Sequence, residues 1–163
     1  MLTTVSRWNF YGDNPFATAH AINNWRGPIV FAGSELGGTV FSGARLIAEG
    51  PRTDPVRAAY IYYTYNTTRA SWDPLTVLYA IEGLGELFDY ANEYGYNQVA
   101  NDGSNAWVYD ESVRNQHWLR LKVSNQTASD RLESIYLKGA WSAAKEPANS
   151  EEEKGGTPAH VEL

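Results

Sequence analysis

The spacing of apolar and polar positions predicts that helices and strands alternate along the first half of the chain. An early helix is predicted to begin near Pro15 and to end at Asn23-Asn24. Phe16, Ala19 and Ile22 recur at helical spacing, so we expect them to share one face of that helix.

A buried strand is predicted directly after this helix. Residues 29–32 form a continuous apolar run between glycines, which is typical of a strand in a parallel sheet. The glycine-rich segment 33–38 matches neither the dinucleotide-binding pattern nor the phosphate-loop pattern, so a plain turn is predicted there. Glu35 is the only charged residue in it. A helix followed by a buried strand indicates an α/β fold.

Two further helices are predicted around a short connection. The first begins at Pro55 and continues to about residue 65. The second begins at Pro74, and its apolar positions predict a buried helix. We expect the two helices to pack nearly antiparallel, with Trp72 and Asp73 on the loop between them.

The second half of the chain has a different pattern. Four short runs alternate aromatic and β-branched residues, at positions 87–91, 94–100, 106–109 and 118–123. They predict a small antiparallel meander, with a turn at residues 101–103. A last helix is predicted to begin near Thr127. The domain is expected to span 1–139, and the Ser-, Pro-, Glu- and Gly-rich residues 140–163 are predicted to form a disordered tail.

Composition excludes several classes of function. A net charge of −6 without a cluster of Lys or Arg argues against a nucleic-acid partner. No apolar run approaches the roughly 18 residues of a membrane span, and no signal peptide is visible, so no membrane partner is expected. The absence of cysteine excludes disulfides, a thiol nucleophile and a cysteine-based zinc site. Aromatic residues make up 13% of the chain, which favours an aromatic-lined cleft.

Asp73 is the most informative candidate residue. An aspartate immediately before a helical proline is held at the positive end of the helix dipole. Two interpretations remain open from the residues alone: Asp73 is only a helix N-cap, or its rigid carboxylate is a ligand for a hard cation.

Two motifs resemble the inosine/uridine-preferring nucleoside hydrolase family. Ser71-Trp72-Asp73-Pro74-Leu75-Thr76-Val77 is similar to the segment that supplies an aspartate ligand to the calcium of these enzymes. Earlier in the chain, Arg7-Trp8-Asn9-Phe10 resembles the family's ribose-binding segment. The resemblance implies a partial nucleoside hydrolase-like α/β fold, with a mostly parallel sheet, flanking helices and a small antiparallel meander.

The resemblance also implies a function for these residues. In the intact enzyme, the reaction would be hydrolysis of the N-glycosidic bond of ribonucleosides to ribose and base. Asp73 would be a calcium ligand, and Asn9 would bind a ribose hydroxyl, so that a nucleoside or ribose is the expected partner. The oligomeric state is left open, and a homo-oligomer is one option.

The chain departs from the family in three ways. The Asp-rich motif that supplies most calcium ligands and the general base is absent, so the chain resembles a C-terminal half that is inactive alone, and no catalytic residue is assigned. Arg7 replaces a ribose-binding glutamate, and Trp72 replaces a histidine. Trp72 is interpreted either as a platform for the nucleobase or as a core aromatic. The alternatives are a non-catalytic domain that binds a nucleoside or sugar, and a fragment without function.

Overall fold

The structure of the protein is a computed structural model that describes residues 8–145. Seven helices and seven strands occur within this range. The helices are α1 (Trp8–Tyr11), α2 (Pro15–Asn24), α3 (Ser34–Gly37), α4 (Ala44–Glu49), α5 (Pro55–Thr64), α6 (Trp72–Glu82) and α7 (Asn125–Ala143). The strands are β1 (Ile29–Phe31), β2 (Phe41–Ser42), β3 (Arg69–Ala70), β4 (Phe88–Tyr90), β5 (Tyr96–Val99), β6 (Asn105–Val108) and β7 (Gln116–Leu121).

The main sheet has three strands in the order β1-β7-β4. β1 and β7 are parallel, with Ile29 opposite Gln116 and Phe31 opposite Trp118. β4 is antiparallel to β7, and β5–β6 and β2–β3 form two small antiparallel sheets. The mixture of helices and strands agrees with the predicted α/β class. The sheet is mixed, however, and not mostly parallel as predicted, since one of the four strand pairs in the described residues is parallel.

β7 explains this difference. The sequence pattern placed it in the meander with its neighbours, yet Trp118 and Leu119 are both buried, 9% and 1% exposed. Successive residues of a strand point to opposite faces, so β7 is covered on both sides. It therefore lies in the centre of the main sheet. The predicted hairpin between β5 and β6, with its turn at residues 101–103, is present.

One core cluster joins the main sheet to helices α3, α6 and α7. Its buried members are Leu36, Val40, Leu75, Leu78, Leu87, Phe88, Leu119, Ala128 and Leu132. A second, smaller cluster of Leu46, Leu137 and Ala140 lies between α4 and α7. Because α7 contributes to both clusters, it connects the sheet to the peripheral helices.

The early helix forms where the sequence predicted it. Asn14 caps α2 by accepting a backbone N–H of the first turn, and Ala19 is 1% exposed. Phe16 was expected on the same buried face but is 63% exposed. Two hydrogen bonds hold the other end of the helix. The Asn23 side chain donates to the Val99 carbonyl (2.7 Å) and accepts the Val99 N–H (3.1 Å).

The predicted start of α5 is confirmed, whereas the predicted turn over residues 33–38 is wrong. Asp54 caps α5 as expected, because its carboxylate accepts the Arg57 N–H at 2.6 Å. The predicted turn over residues 33–38 is instead largely helical, as Ser34–Gly37 form α3. α5 has no buried residue and lies at the periphery beside α4.

The last helix is longer than predicted. Ser124 caps α7 by accepting the Thr127 N–H at 3.1 Å, so the helix begins before Thr127. It continues to Ala143, which means that a tail beginning at residue 140 starts too early. The rest of the predicted tail, residues 146–163, lies outside the described residues.

A buried carboxylate fastens α7 to the start of α4. Glu133 is 4% exposed, and its oxygens accept backbone N–H groups from Gly43 (2.7 Å), Arg45 (3.3 Å) and Leu46 (3.3 Å). The first N–H groups of a helix have no partner within the helix. Glu133 therefore caps a helix that is remote in sequence and has no side-chain cap of its own.

We expect Glu133→Ala to lower the free energy of unfolding by about 2–4 kcal/mol, because several buried N–H groups lose their acceptor. Glu133→Gln keeps one acceptor oxygen and should cost less. Urea unfolding followed by circular dichroism measures both. Asp130→Ala, at an exposed site on the same helix, is the control and should change the free energy of unfolding by less than about 0.5 kcal/mol. Equal effects at the two sites would contradict the capping role.

A pair of tyrosines joins α6 to β4. The hydroxyls of Tyr79 and Tyr90 are hydrogen-bonded at 2.8 Å, and the Tyr90 ring stacks on His117 with 4.0 Å between ring centroids. Burial, and then the hydrogen bond to Tyr90, raises the pKa of Tyr79 to about 12 from its ordinary value of 10.0. As the pH rises, the folded protein therefore keeps the Tyr79 proton to a higher pH than the unfolded chain does.

This shift predicts alkaline destabilisation. Between about pH 10 and about pH 12 the folded state binds more protons than the unfolded state, so the free energy of unfolding falls as the pH rises. Tyr79→Phe should make that fall smaller, as measured by urea unfolding at about pH 9 and about pH 11. Tyr62→Phe, at a side chain that is 81% exposed, is the control. Identical pH dependence in wild type and Tyr79→Phe would refute this assignment.

Candidate functional site

The sequence predicted the candidate site at Trp72 and Asp73, on the connection between α5 and α6, and the structure places these residues beside the carboxyl end of β1, the edge at which open α/β sheets bind ligands. The chain leaves β1 at Phe31 and enters α3 at Ser34. The indole N–H of Trp72 donates to the Ser34 carbonyl at 2.9 Å. The Ser71 N–H donates to the Gly37 carbonyl at 3.1 Å. These two bonds fix the start of α6 beside the strand end, and we call Ser34, Trp72 and Asp73 the β1 corner.

Asp73 lies inside the first turn of α6 and not on a preceding loop. The residue before the helix is Ser71, so the interpretation of Asp73 as the N-cap is wrong. The side chain is exposed, and its carboxylate makes no hydrogen bond or ion pair with a described residue. Backbone N–H groups at a helix start favour a negative charge. Asp73 is thus an exposed carboxylate on a fixed helical backbone, with both oxygens available to a ligand.

The described residues alone do not form a calcium site around Asp73. Calcium takes about six to eight oxygen ligands, usually from several carboxylates. Within residues 8–145 no group of three His, Cys, Asp or Glu side chains could hold a metal ion. Calcium at Asp73 stays a prediction, and its other ligands would have to come from outside this range.

Trp72 combines features of both interpretations that the sequence left open. It is partly buried, and its N–H is bonded to Ser34 as in a core aromatic. The guanidinium carbon of Arg69 lies 5.6 Å from the centroid of the Trp72 ring and 5.0 Å from that of Tyr63. A cation over an aromatic face is favourable. Trp72 has no titratable proton, so at this corner it can stack but cannot protonate a leaving base.

The other predicted ribose-binding residues are not hydrogen-bonded to this corner. Asn9 is exposed on α1, and no hydrogen bond connects it to Trp72 or Asp73. α1 packs against the turn at Gly103, where an added Cβ would come within 2.7 Å of the Tyr11 Cβ. Arg7 lies outside the described residues.

An apolar groove beside Asp73 was not predicted. It has a volume of about 400 Å³ and is lined by Asp73 together with residues of α5, α6 and α7. α6 was expected to be buried, yet Val77 and Ile81 are 57% and 76% exposed. The signal was present in the sequence, because Pro74, Val77 and Ile81 form a second apolar stripe beside that of Leu75 and Leu78. The candidate carboxylate therefore lies at the edge of an apolar surface.

No helix among residues 8–145 is long and apolar enough to cross a membrane. Comparison with protein families, with curated proteins and with solved structures finds no match to this chain.

We expect Gly37→Ala to disturb the β1 corner. A Cβ at Gly37 would lie 2.5 Å from the backbone N of Trp72, which is closer than packed atoms approach. The free energy of unfolding should fall by about 1–3 kcal/mol, and hydrogen exchange at the start of α6 should become faster.

Gly139→Ala is the matched control. No atom lies within 4 Å of a Cβ at Gly139, and this glycine is inside a helix, so alanine should stabilise the protein by up to about 1 kcal/mol. Unchanged stability and unchanged exchange in Gly37→Ala would contradict the close contact.

Proposed function

We propose that this chain is a nucleoside hydrolase-like protein of the inosine/uridine-preferring type, with a partial form of that α/β fold. In the intact enzyme it would take part in hydrolysing the N-glycosidic bond of ribonucleosides. The observation that carries the proposal is the exposed carboxylate of Asp73, which has no partner among the described residues and lies on the fixed first turn of α6 at the carboxyl edge of β1. The order of the two short motifs, Arg7 to Phe10 and Ser71 to Val77, supports it.

The chemistry of the reaction suits such a carboxylate. Cleavage of an N-ribosidic bond develops positive charge on the sugar, so a fixed negative charge near the sugar stabilises the transition state. Both oxygens of Asp73 can also accept hydrogen bonds from the neighbouring hydroxyls of a ribose. Because the start of α6 is fixed to Ser34 and Gly37, the backbone of Asp73 does not have to be ordered when the sugar binds, and only the rotamer of its side chain must be selected.

The remaining chemical groups are not supplied by the described residues. Hydrolysis also requires a base that activates water, and no cluster of acidic side chains accompanies Asp73 in residues 8–145. In this proposal the base comes from residues outside that range or from another polypeptide. Calcium remains part of the proposal on the same condition.

A second function, binding without catalysis, is favoured by the surroundings of Trp72. Arg69 lies over the rings of Tyr63 and Trp72, and Tyr63 is 68% exposed. This arrangement offers stacking and one positive charge but no group that could protonate a departing base. It is suited to holding a nucleoside or sugar, so the two functions are distinguished by turnover.

The test is hydrolysis and binding of inosine and uridine by the full natural gene product and its Asp73→Asn variant. Loss of the charge should lower the rate of ribose release by about 100-fold or more. Asp130→Asn, an exposed carboxylate on α7, is the matched control and should keep the wild-type rate.

A wild-type rate in Asp73→Asn would remove Asp73 from the site. Saturable nucleoside binding, without ribose release in any form of the protein, would favour the non-catalytic function.

A further inference from the structure

A polar cleft lies at the opposite end of the β1–β7 pair from the β1 corner. It has a volume of about 490 Å³ and is located where the two strands begin. Trp25 lies in its lining, together with five carboxamide residues: Asn23, Asn97, Gln98, Asn115 and Gln116. We call this the amide cleft. Because β1 has three residues of about 3.3 Å each, the cleft is separated from Ser34 by the length of the strand.

The amide orientation of Gln116 is fixed by the backbone. Its Oε1 accepts the N–H of Asn97 at 3.0 Å, so the oxygen must face Asn97 and the NH₂ group must face away. Gln116 is 7% exposed, yet its Nε2 makes no hydrogen bond with a described residue. A buried side chain thus holds a donor without a protein partner in the wall of the cleft.

The neighbouring residue supplies an acceptor. The Asn115 Nδ2 donates to the Gly27 carbonyl at 2.9 Å, so its Oδ1 is the outward atom. This oxygen has no protein partner in the described residues. A donor and an acceptor, both with a fixed orientation, therefore stand on consecutive residues of one cleft wall.

Asn97 adds a further unsatisfied group. It is 2% exposed, and its Oδ1 accepts from Asn105 Nδ2 at 3.0 Å while its own Nδ2 has no partner. Exchanging O and N in both amides leaves the same number of unpaired atoms. The two unpaired atoms, Asn97 Nδ2 and Asn105 Oδ1, are buried behind the wall of the cleft and do not contact a ligand directly.

The rim of the cleft offers an apolar surface. Trp25 is 59% exposed, and its ring lies close to the backbone at Gly27, where a Cβ would come within 2.9 Å of the indole nitrogen. Glycine at that position allows this close approach. Arg26 is the only charged residue in the lining. The cleft thus combines uncharged donors and acceptors with an accessible aromatic ring.

We propose that the amide cleft binds a neutral saccharide. Each sugar hydroxyl both donates and accepts, which suits a cleft lined by the Gln116 donor and the Asn115 acceptor. The C–H face of a sugar ring packs on an aromatic surface such as that of Trp25. An anionic ligand fits less well, because the outward Asn115 oxygen repels it and Arg26 is the only cation in the lining. This inference is independent of the proposed function at Asp73.

The experiment titrates the full chain with maltose, cellobiose and lactose and follows backbone amide shifts by NMR. At least one disaccharide should give saturable shifts centred on residues 96–98 and 115–116. Trp25→Ala and Asn115→Ala should each raise the dissociation constant about tenfold, because each variant loses one stacking surface or one hydrogen bond.

Matched controls separate binding from folding. Trp141→Ala removes another exposed tryptophan, 46% exposed on α7, and Asn125→Ala removes an exposed asparagine bonded to Thr39. Both should bind like the wild type. The nucleoside proposal predicts shifts at residues 72–73 with inosine or uridine, whereas this inference predicts shifts at residues 96–98 and 115–116 with a disaccharide, so the two can fail separately.

Three results would overturn the inference. The first is the absence of a saturable response to all three disaccharides up to about 100 mM, well above the weakest binding that a specific site of this kind would show. The second is unchanged affinity in both Trp25→Ala and Asn115→Ala. The third is a response to succinate in place of the sugars, which would assign the cleft to anions through Arg26. Trp25 is exposed, so its variant should fold and keep the test decisive.

Discussion

The buried carboxylate of Glu133 is the interaction on which most of this architecture depends. A charged group that is 4% exposed is stable only if its oxygens are satisfied, and three backbone N–H groups at the start of α4 satisfy them. This requirement fixes the rotation of α7 about its axis. With Glu133 directed at α4, Leu132 is directed into the core beside the sheet and Leu137 into the smaller cluster beside α4.

A hydrogen bond between two serines connects the start of α4 to the candidate site. Ser42, one residue before the capped N–H of Gly43, is fully buried, and its hydroxyl is bonded to that of Ser71 at 2.8 Å. Ser71 precedes Trp72 and the first turn of α6. The position of the β1 corner therefore depends on a helix whose start is held by α7, although Glu133 itself touches no residue of the corner.

The sequence correctly predicted the helix starts and the turn that depend only on residues close together in the chain. The starts of α2 and α5 follow from an Asn or Asp followed by proline, and the β5–β6 turn follows from its Asn-Asp-Gly segment. The pairing of β7 with β1 could not be predicted this way, because partners remote in sequence leave no periodicity. The capping role of Glu133 had no local signal for the same reason. At the candidate site, Asp73 and Trp72 were proposed from their motif, whereas the exposure of Ile81 depends on what packs against α6.

The parallel pairing of β1 with β7 also determines the order in which the fold can be completed. The first strand of the main sheet finds its partner only near the end of the domain, and the Glu133 cap on Gly43 closes a loop of 90 residues. Contacts this distant in sequence are slow to form, because the chain must lose loop entropy before they stabilise it. Among the strands of residues 8–145, β7 is the only partner of β1, so during synthesis β1 lacks a strand partner from this range until β7 has emerged from the ribosome. A nascent chain that stalls before β7 would lack the centre of its sheet and would expose a set of unpaired apolar elements to chaperones and proteases.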